Sequence, residues 1–143
     1  VGDRRDASRQ DAPLDAALRS LVEHLQVNTN VPLSFESDST EVKAPALVQH
    51  HLLRITREAV NNALKYAQAK HVTVSLTHAE EKLALSIEDD GKGFDPATAQ
   101  ALNGHFGLRG MQERARKMGV ELEVASTMGR GTKVQVMVPA GVA

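Results

Sequence analysis

The sequence contains no cysteine and no tryptophan, and aromatic residues make up only 3% of its 143 positions. Without cysteine there is no disulfide, no thiolate metal site and no cysteine nucleophile. So few aromatic rings leave no stacking platform for single-stranded nucleic acid, which needs flat faces for successive bases. Charge of one sign is lacking too: 17 Lys and Arg stand against 18 Asp and Glu, a formal net charge of −1. No general positive field draws the chain to DNA or RNA, and no direct nucleic-acid partner is expected. No apolar run approaches the roughly 20 residues that cross a bilayer. No secretory signal is visible, so no membrane contact is expected of this stretch. The first residue is Val1, which reads as a piece excised or processed from something longer.

What is present is the composition of one ordinary globular domain, with 41% apolar and 24% charged residues. Residues 1–12 are charged and unpatterned and are expected to form a disordered terminus or linker. Leu14, Ala17, Leu18, Leu21, Val22 and Leu25 recur at helical spacing. They predict an amphipathic helix over 14–26, either packed on the domain or ending a longer helix. Residues 13–30 are assigned to the end of that upstream helix, and Asn28 to Pro32 stops it. Residues 31–36 read as a short strand and 36–44 as a polar loop. Pro45 suits the first turn of a long helix. That helix should end near Tyr66 or Ala67, with Val48, Leu52, Ile55, Ala59 and Ala63 toward the core.

Residues 71–78 and 82–89 alternate as strands around Ala79-Glu80-Glu81, an expected hairpin. An uneven stretch over 96–106 precedes a helix over 108–118 with Gly119 as its C-terminal cap. A second hairpin, 121–126 with 132–138, turns at Met128-Gly129-Arg130-Gly131. Helices mixed with hairpins, rather than regular βαβ repeats, favour an α+β two-layer sandwich over 31–140, a mixed sheet covered by helices on one face.

Three groups of residues carry chemistry. Glu58, Asn62 and Lys65 are four and three residues apart, so they share one helix face beside the apolar stripe. A carboxylate, an amide oxygen and an ammonium in a row suit a Mg2+–triphosphate site; alone, they read first as a solvated face on which Arg54 pairs with Glu58. Asp89-Asp90-Gly91-Lys92-Gly93 puts a carboxylate at a strand end, then two glycines that allow sharp turns and close approach. Such a carboxylate can accept from an exocyclic amine such as adenine's, although any tight acidic turn looks similar. Gly104, Gly107 and Gly110 lead straight into a helix and leave backbone N–H groups for phosphate, or form a flexible surface loop. No Gly-Lys-Ser/Thr follows them, which excludes a Walker A loop. Gly129 and Gly131 read as hairpin-turn residues, whereas the Thr132 hydroxyl falls on a strand near Asp89.

Taken together, these segments resemble one family. Arg57 to Ala67 (REAVNNALKYA) looks like the N box of the ATP-binding superfamily of gyrase, Hsp90, histidine kinases and MutL. Asp89 to Gly93 resembles its G1 box, Gly104 to Gly110 its glycine-rich lid, and Gly131-Thr132 its last motif, in family order over about Leu14 to Pro139. Glu58 at the head of the N box and Gly107-Leu108-Arg109-Gly110-Met111-Gln112-Glu113-Arg114-Ala115 are similar to sensor histidine kinases of the nitrate/nitrite-sensor type. The resemblance implies a Bergerat-type ATP-binding fold with ATP and Mg2+ as cofactors. It implies a nucleotide site of Asn62, Lys65, Tyr66, Asp89, Gly91, Gly93, Gly104, Gly107, Leu108, Gly110 and Thr132. Within that site Asp89 would hold the adenine amine, Asn62 would ligate the metal, Lys65 would approach phosphate, Glu58 would act as the base or polarising carboxylate, Thr132 would support the base, and the glycines would let a lid close.

The implied partners are a dimerisation and phosphoacceptor helix of a parent kinase and a response regulator. The implied location is the cytoplasm, whether or not the parent is membrane-anchored. The family's acceptor is a His followed by an acidic residue, and His24, His50, His51, His71, His78 and His105 all lack that neighbour. The chain is therefore expected to bind ATP without phosphorylating itself. An anti-sigma-factor serine kinase, which resembles the same superfamily, is the alternative.

Overall fold

The structure is a computed structural model and describes residues 12–95 and 107–139. Helix α1 (Leu14–Gln26) starts after Pro13 and buries Leu14, Leu18, Leu21, Val22 and Leu25, the i, i+4, i+7 face that its spacing predicts. Buried Asp15 accepts the Val42 N–H at 2.9 Å, while the Leu14 N–H donates to the Val42 carbonyl at 2.6 Å. These bonds bind α1 to the loop that follows the first strand, so this helix packs as part of the core. Arg19 also lies 5.1 Å over the ring of Phe35.

Strand β1 (Leu33–Ser37) begins two residues later than the alternation suggested. Pro32 has no N–H to offer a ladder, and the Val31 N–H turns back to Thr29 Oγ1 at 3.1 Å. Gln26 organises this corner, donating to the Val31 carbonyl at 2.9 Å and accepting the Leu33 N–H at 2.7 Å. Helix α2 (Ala46–Tyr66) has Pro45 at its N-cap, just before the first turn where the sequence suggested it. Leu52, Ile55, Ala59 and Ala63 are buried as expected, Val48 is only half-buried, and Gln49, His51, Thr56 and Val60 widen the buried stripe. The Thr56 hydroxyl is satisfied inside the helix, donating to the Leu52 carbonyl at 2.9 Å.

Strands β2 (Val72–Ala79) and β3 (Lys82–Asp89) form the first hairpin. Ala79 pairs with Lys82, which leaves Glu80 and Glu81 alone in the turn, both at positive φ. Two consecutive left-handed residues give the twist that joins adjacent antiparallel strands. Helix α3 (Leu108–Lys117) ends near Gly119, whose φ of +79° fits its predicted capping place. Strands β4 (Leu122–Thr127) and β5 (Gly131–Pro139) complete the second hairpin.

The sheet order is β1-β2-β3-β5-β4, with β1 parallel to β2 and the other pairs antiparallel. A mixed sheet with helices matches the expected α+β architecture. One feature goes beyond the expected hairpins: β1, α2 and β2 form a single parallel crossover, within a sheet otherwise built from antiparallel pairs. Val72, Val74, Leu76, Leu83, Leu85, Ile87, Val134, Val136 and Val138 alternate onto the buried face. Among the described residues no helix is long and apolar enough to cross a membrane.

Candidate functional site

The strand registers bring Val72, Asp89, Thr132 and Ser126 into one row across four strands. Two residues further along each strand lies an apolar row, Val74, Ile87, Val134 and Val124. Because side chains alternate between faces, Asp89, Thr132 and Ser126 project on the same side as this core. They form a polar rim where the core reaches the sheet's end. Burial and the neighbouring acids leave their mark on Asp89. Burial is the main cause pushing its carboxyl above the usual aspartate range, helped by Asp90 and Glu88, against the backbone N–H groups of Gly91 and Thr132 that favour the anion. The Gly91 N–H donates to Asp89 Oδ1 at 2.8 Å.

The loop after β3 is clasped from both sides. Gly91 is buried against the carbonyl of Ala67, at the end of α2, where a Cβ would have no room. The Lys92 N–H donates to the same carbonyl at 2.8 Å. On the other side the Lys92 carbonyl accepts the Gly129 N–H at 2.5 Å, and Gly93, at φ +66°, packs on the Thr127 carbonyl. Gly131 (φ +86°) lies against the Asp89 carbonyl, so it serves close approach as well as the turn. Adjacent Asp90 faces elsewhere: its Oδ1 accepts the N–H groups of Lys70 and His71 at 2.8 and 2.9 Å. Those bonds, the one from His71 foremost, hold its carboxyl below the usual range. The two neighbouring carboxyls are thus shifted in opposite directions, Asp89 upward at the end of the core and Asp90 downward where it braces the start of β2.

On α2, Asn62 and Tyr66 are half-buried, while Glu58 and Lys65 are exposed. Gly107, in the left-handed conformation at φ +63° and ψ +16°, caps the start of α3 and touches the Glu58 carboxylate. A Cβ at 107 would occupy the place of Glu58 Oε1. Leu108 opens α3 and is half-buried; Gly110 stands within its first turn, where an added Cβ would meet no other described residue. Gly104 lies outside the described residues, as does the stretch over 96–106. The site residues therefore fall along the second half of α2, from Glu58 beside Gly107 to Ala67 beside Gly91. At 1.5 Å per residue that half-helix is roughly 13 Å long.

Among the described histidines, His51 and His71 sit in structural surroundings. His51 is buried between His50, with ring centroids 5.4 Å apart, and Arg114 Nη1, 3.4 Å from its Nδ1. Desolvation first, then the cationic neighbours His50, Arg114 and Lys117, pull its basicity down. His71 is held by Ser34 Oγ at 2.8 Å. Among the described residues no three His, Asp or Glu side chains are grouped to hold a metal by themselves. Asn62 could offer an amide oxygen to a cation whose other ligands come from phosphate and water, a combination that suits Mg2+.

Ser126 and Asp90 were missed in the sequence. A signal existed for Ser126: it continues the inward phase of Leu122 and Val124, where an apolar residue belongs. Nothing local distinguishes Asp90 from Asp89, because the pairing across strands decides which carboxylate turns inward.

Comparison with known proteins gives a consistent result. A family model described as histidine kinase-, DNA gyrase B-, and HSP90-like ATPase matches residues 47–142. The chain is 35% identical over 135 residues to the sensor protein VraS of Staphylococcus saprophyticus, covering 94% of this chain and 38% of that protein. It is 33% identical to VraS of Staphylococcus aureus with the same coverage. The chain thus spans under two fifths of the length of these curated relatives. Among solved structures, the histidine kinase domain of a blue-light activated histidine kinase from Erythrobacter litoralis aligns at a TM-score of 0.70 and 26% identity. That alignment covers 90% of this chain and 61% of the other. The catalytic domain of the histidine kinase ThkA aligns at a TM-score of 0.67 and 15% identity, covering 89% of this chain and 90% of the other, a likeness of fold.

Proposed function

Because this chain belongs to the histidine kinase-, DNA gyrase B-, and HSP90-like ATPase family, we propose that it is the ATP-binding catalytic domain of a sensor histidine kinase. The observation that carries the reading is the half-buried, desolvated Asp89 carboxylate, set in a row with Thr132 and at one end of the α2 stripe. An acceptor-only group of this kind suits an exocyclic amine, so Asp89 takes the adenine. Half a helix away, Glu58 and Gly107 stand where the far end of an extended nucleoside triphosphate would reach. Asn62 and Lys65 lie between these ends, one as a metal ligand and one as a counter-charge to phosphate. Tyr66, Gly91, Gly93, Leu108 and Thr132 complete the walls, while Gly104, Gly107 and Gly110 belong to the lid.

Magnesium fits this arrangement as a companion of the nucleotide, since Asn62 supplies one neutral oxygen and leaves other positions to phosphate and water. When bound, it would offset charge on the phosphates. Glu58 is the base or polarising carboxylate for transfer of the γ-phosphoryl group to a histidine on a dimerisation helix of the parent kinase. A response regulator would receive it next, and the nitrate/nitrite-sensor type is the subfamily we favour. The Staphylococcus relatives are named sensor proteins, which supports this reading over an anti-sigma-factor serine kinase. We assign residues 31–140 to the catalytic domain, 13–30 to the end of the upstream helix and 1–12 to a linker, in the cytoplasm.

The test is calorimetric titration with ATP, with and without magnesium, followed by incubation with labelled ATP. Magnesium should tighten ATP binding in the wild type, and Asn62→Asp should alter that gain while sparing metal-free ADP binding. No acid-labile, base-stable phosphate should accumulate on the chain, because no His is followed by an acidic residue. A chain that ignores ATP, or that phosphorylates its own histidine, refutes the reading.

A further inference from the structure

Ser126 stands at the meeting point of three segments. Its Oγ accepts the Phe94 N–H at 2.8 Å, at the end of the loop that Asp89 begins. It lies 3.2 Å from the carbonyl oxygen of Gly131 and 2.7 Å from Thr132 Oγ1. A hydroxyl has one proton and two lone pairs. The amide of Phe94 can only donate and the carbonyl of Gly131 can only accept. Satisfying both requires the serine proton to point at Gly131. The remaining lone pair of Ser126 must then receive the proton of Thr132. Every valence of Ser126 is filled in this arrangement, and the opposite one would leave the Gly131 contact unmade.

The consequence falls on Thr132. Its proton is spent on Ser126, so Thr132 Oγ1 faces the site as an acceptor. Asp89, its partner across the β3–β5 ladder, is also acceptor-only when ionised, and the Thr132 backbone N–H already goes to that carboxylate. Two acceptors side by side select a donor-bearing edge and reject a carbonyl.

We propose that Ser126 is a positioning residue for base selection, fixing Thr132 as an acceptor beside Asp89 so that the site prefers a 6-amino purine to a 6-oxo purine. This rests on the reading of the site as an ATP site. Releasing Thr132 would let its hydroxyl rotate and donate to a 6-oxo group. It would also loosen the tie between the loop end and the second hairpin, because the Phe94 N–H loses its acceptor.

The experiment is calorimetric titration of the 143-residue chain with ADP and with inosine diphosphate, in magnesium. The wild type should prefer ADP. Ser126→Ala should lower the ADP-to-IDP preference by about tenfold, the worth of one hydrogen bond, and Ser126→Thr should restore it. In a Thr132→Val background, Ser126→Ala should leave the preference unmoved, since the hydroxyl it orients is gone. Should the alanine variant fail to fold by circular dichroism, Ser126→Cys keeps the volume with a weak donor and should show the same loss. A wild-type chain that binds no adenine nucleotide refutes the ATP-site reading itself. Binding without a preference for ADP, or a preference that survives in a folded Ser126→Ala or Ser126→Cys variant, overturns the role of Ser126 alone.

Discussion

Replacing Asp89 by Asn separates ligand recognition from fold stability more cleanly than any other change in this chain. The amide keeps the size of the carboxyl and one oxygen to accept the Gly91 N–H, now at 2.8 Å. Its second group becomes a donor. Opposite an exocyclic amine, donor meets donor and a hydrogen bond to a charged acceptor is lost, worth about 1.5–3 kcal/mol. ADP affinity should therefore fall by about 10-fold to about 100-fold. Stability should move the other way. Burial is the largest influence on Asp89 and raises its pKa in the folded state. A raised carboxyl contributes stability that is complete below the unfolded value and is lost as pH rises through the folded value. The variant has no such loss. Its melting temperature relative to wild type should climb as pH rises through that window and then level off. Calorimetry reads the first effect and differential scanning melts at a series of pH values read the second. An ADP affinity within about twofold of wild type, or a stability difference that shrinks as pH rises, would refute the reasoning.

Gly107→Ala should cost about 1–2 kcal/mol from the left-handed backbone alone, beyond which its Cβ must displace the Glu58 carboxylate. In a Glu58→Ala background that second part disappears, so a double-mutant cycle by urea denaturation should be non-additive by about 0.5–3 kcal/mol; additive costs would mean that the two residues do not press on each other. His51 is buried and its pKa is lowered chiefly by burial, so the unfolded chain takes up a proton that the fold resists. Its contribution to stability is present above the ordinary histidine range and is lost as pH falls. His51→Gln should flatten the stability decline on the acid side of that range, and an unchanged profile would count against it.

The parts of the fold governed by local pattern were legible. The 3.6-residue spacing of α1 and α2 and the alternation of β3 gave those elements nearly to the residue, because burying one stripe or one face leaves few alternatives. Pro32 delayed the start of β1, because a residue without an N–H cannot donate to the ladder, whereas Pro45 sits at the cap just before α2, where its missing N–H costs nothing and its carbonyl accepts the first helical bond from Gln49. The parallel pairing of β1 with β2 was not legible, since nothing in five polar-to-apolar residues encodes the direction of a distant partner. The site divides in the same way. Asp89 and Gly91 stood out as a strand end followed by residues that permit close approach. Ser126 had one local signal, a hydroxyl in an apolar phase, and that signal gains meaning only beside Phe94 and Thr132. The contact of Glu58 with Gly107 links two segments whose spacing in the chain says nothing about their distance in space.

The row through Val72, Asp89, Thr132 and Ser126 also bears on how the protein comes into being. Its first two members meet as soon as the β2–β3 hairpin closes, a local event that a nascent chain can complete early. The other two arrive from the C-terminal hairpin, and the β3–β5 ladder must form over a long intervening segment, so it closes late and at a higher cost in chain entropy. Until then the first hairpin has an unpaired edge at β3, open to pairing with another chain. A ligand that needs the whole row binds only molecules in which that edge has been covered by β5, and so acts through mass action to withdraw finished chains from the pool exposed to aggregation.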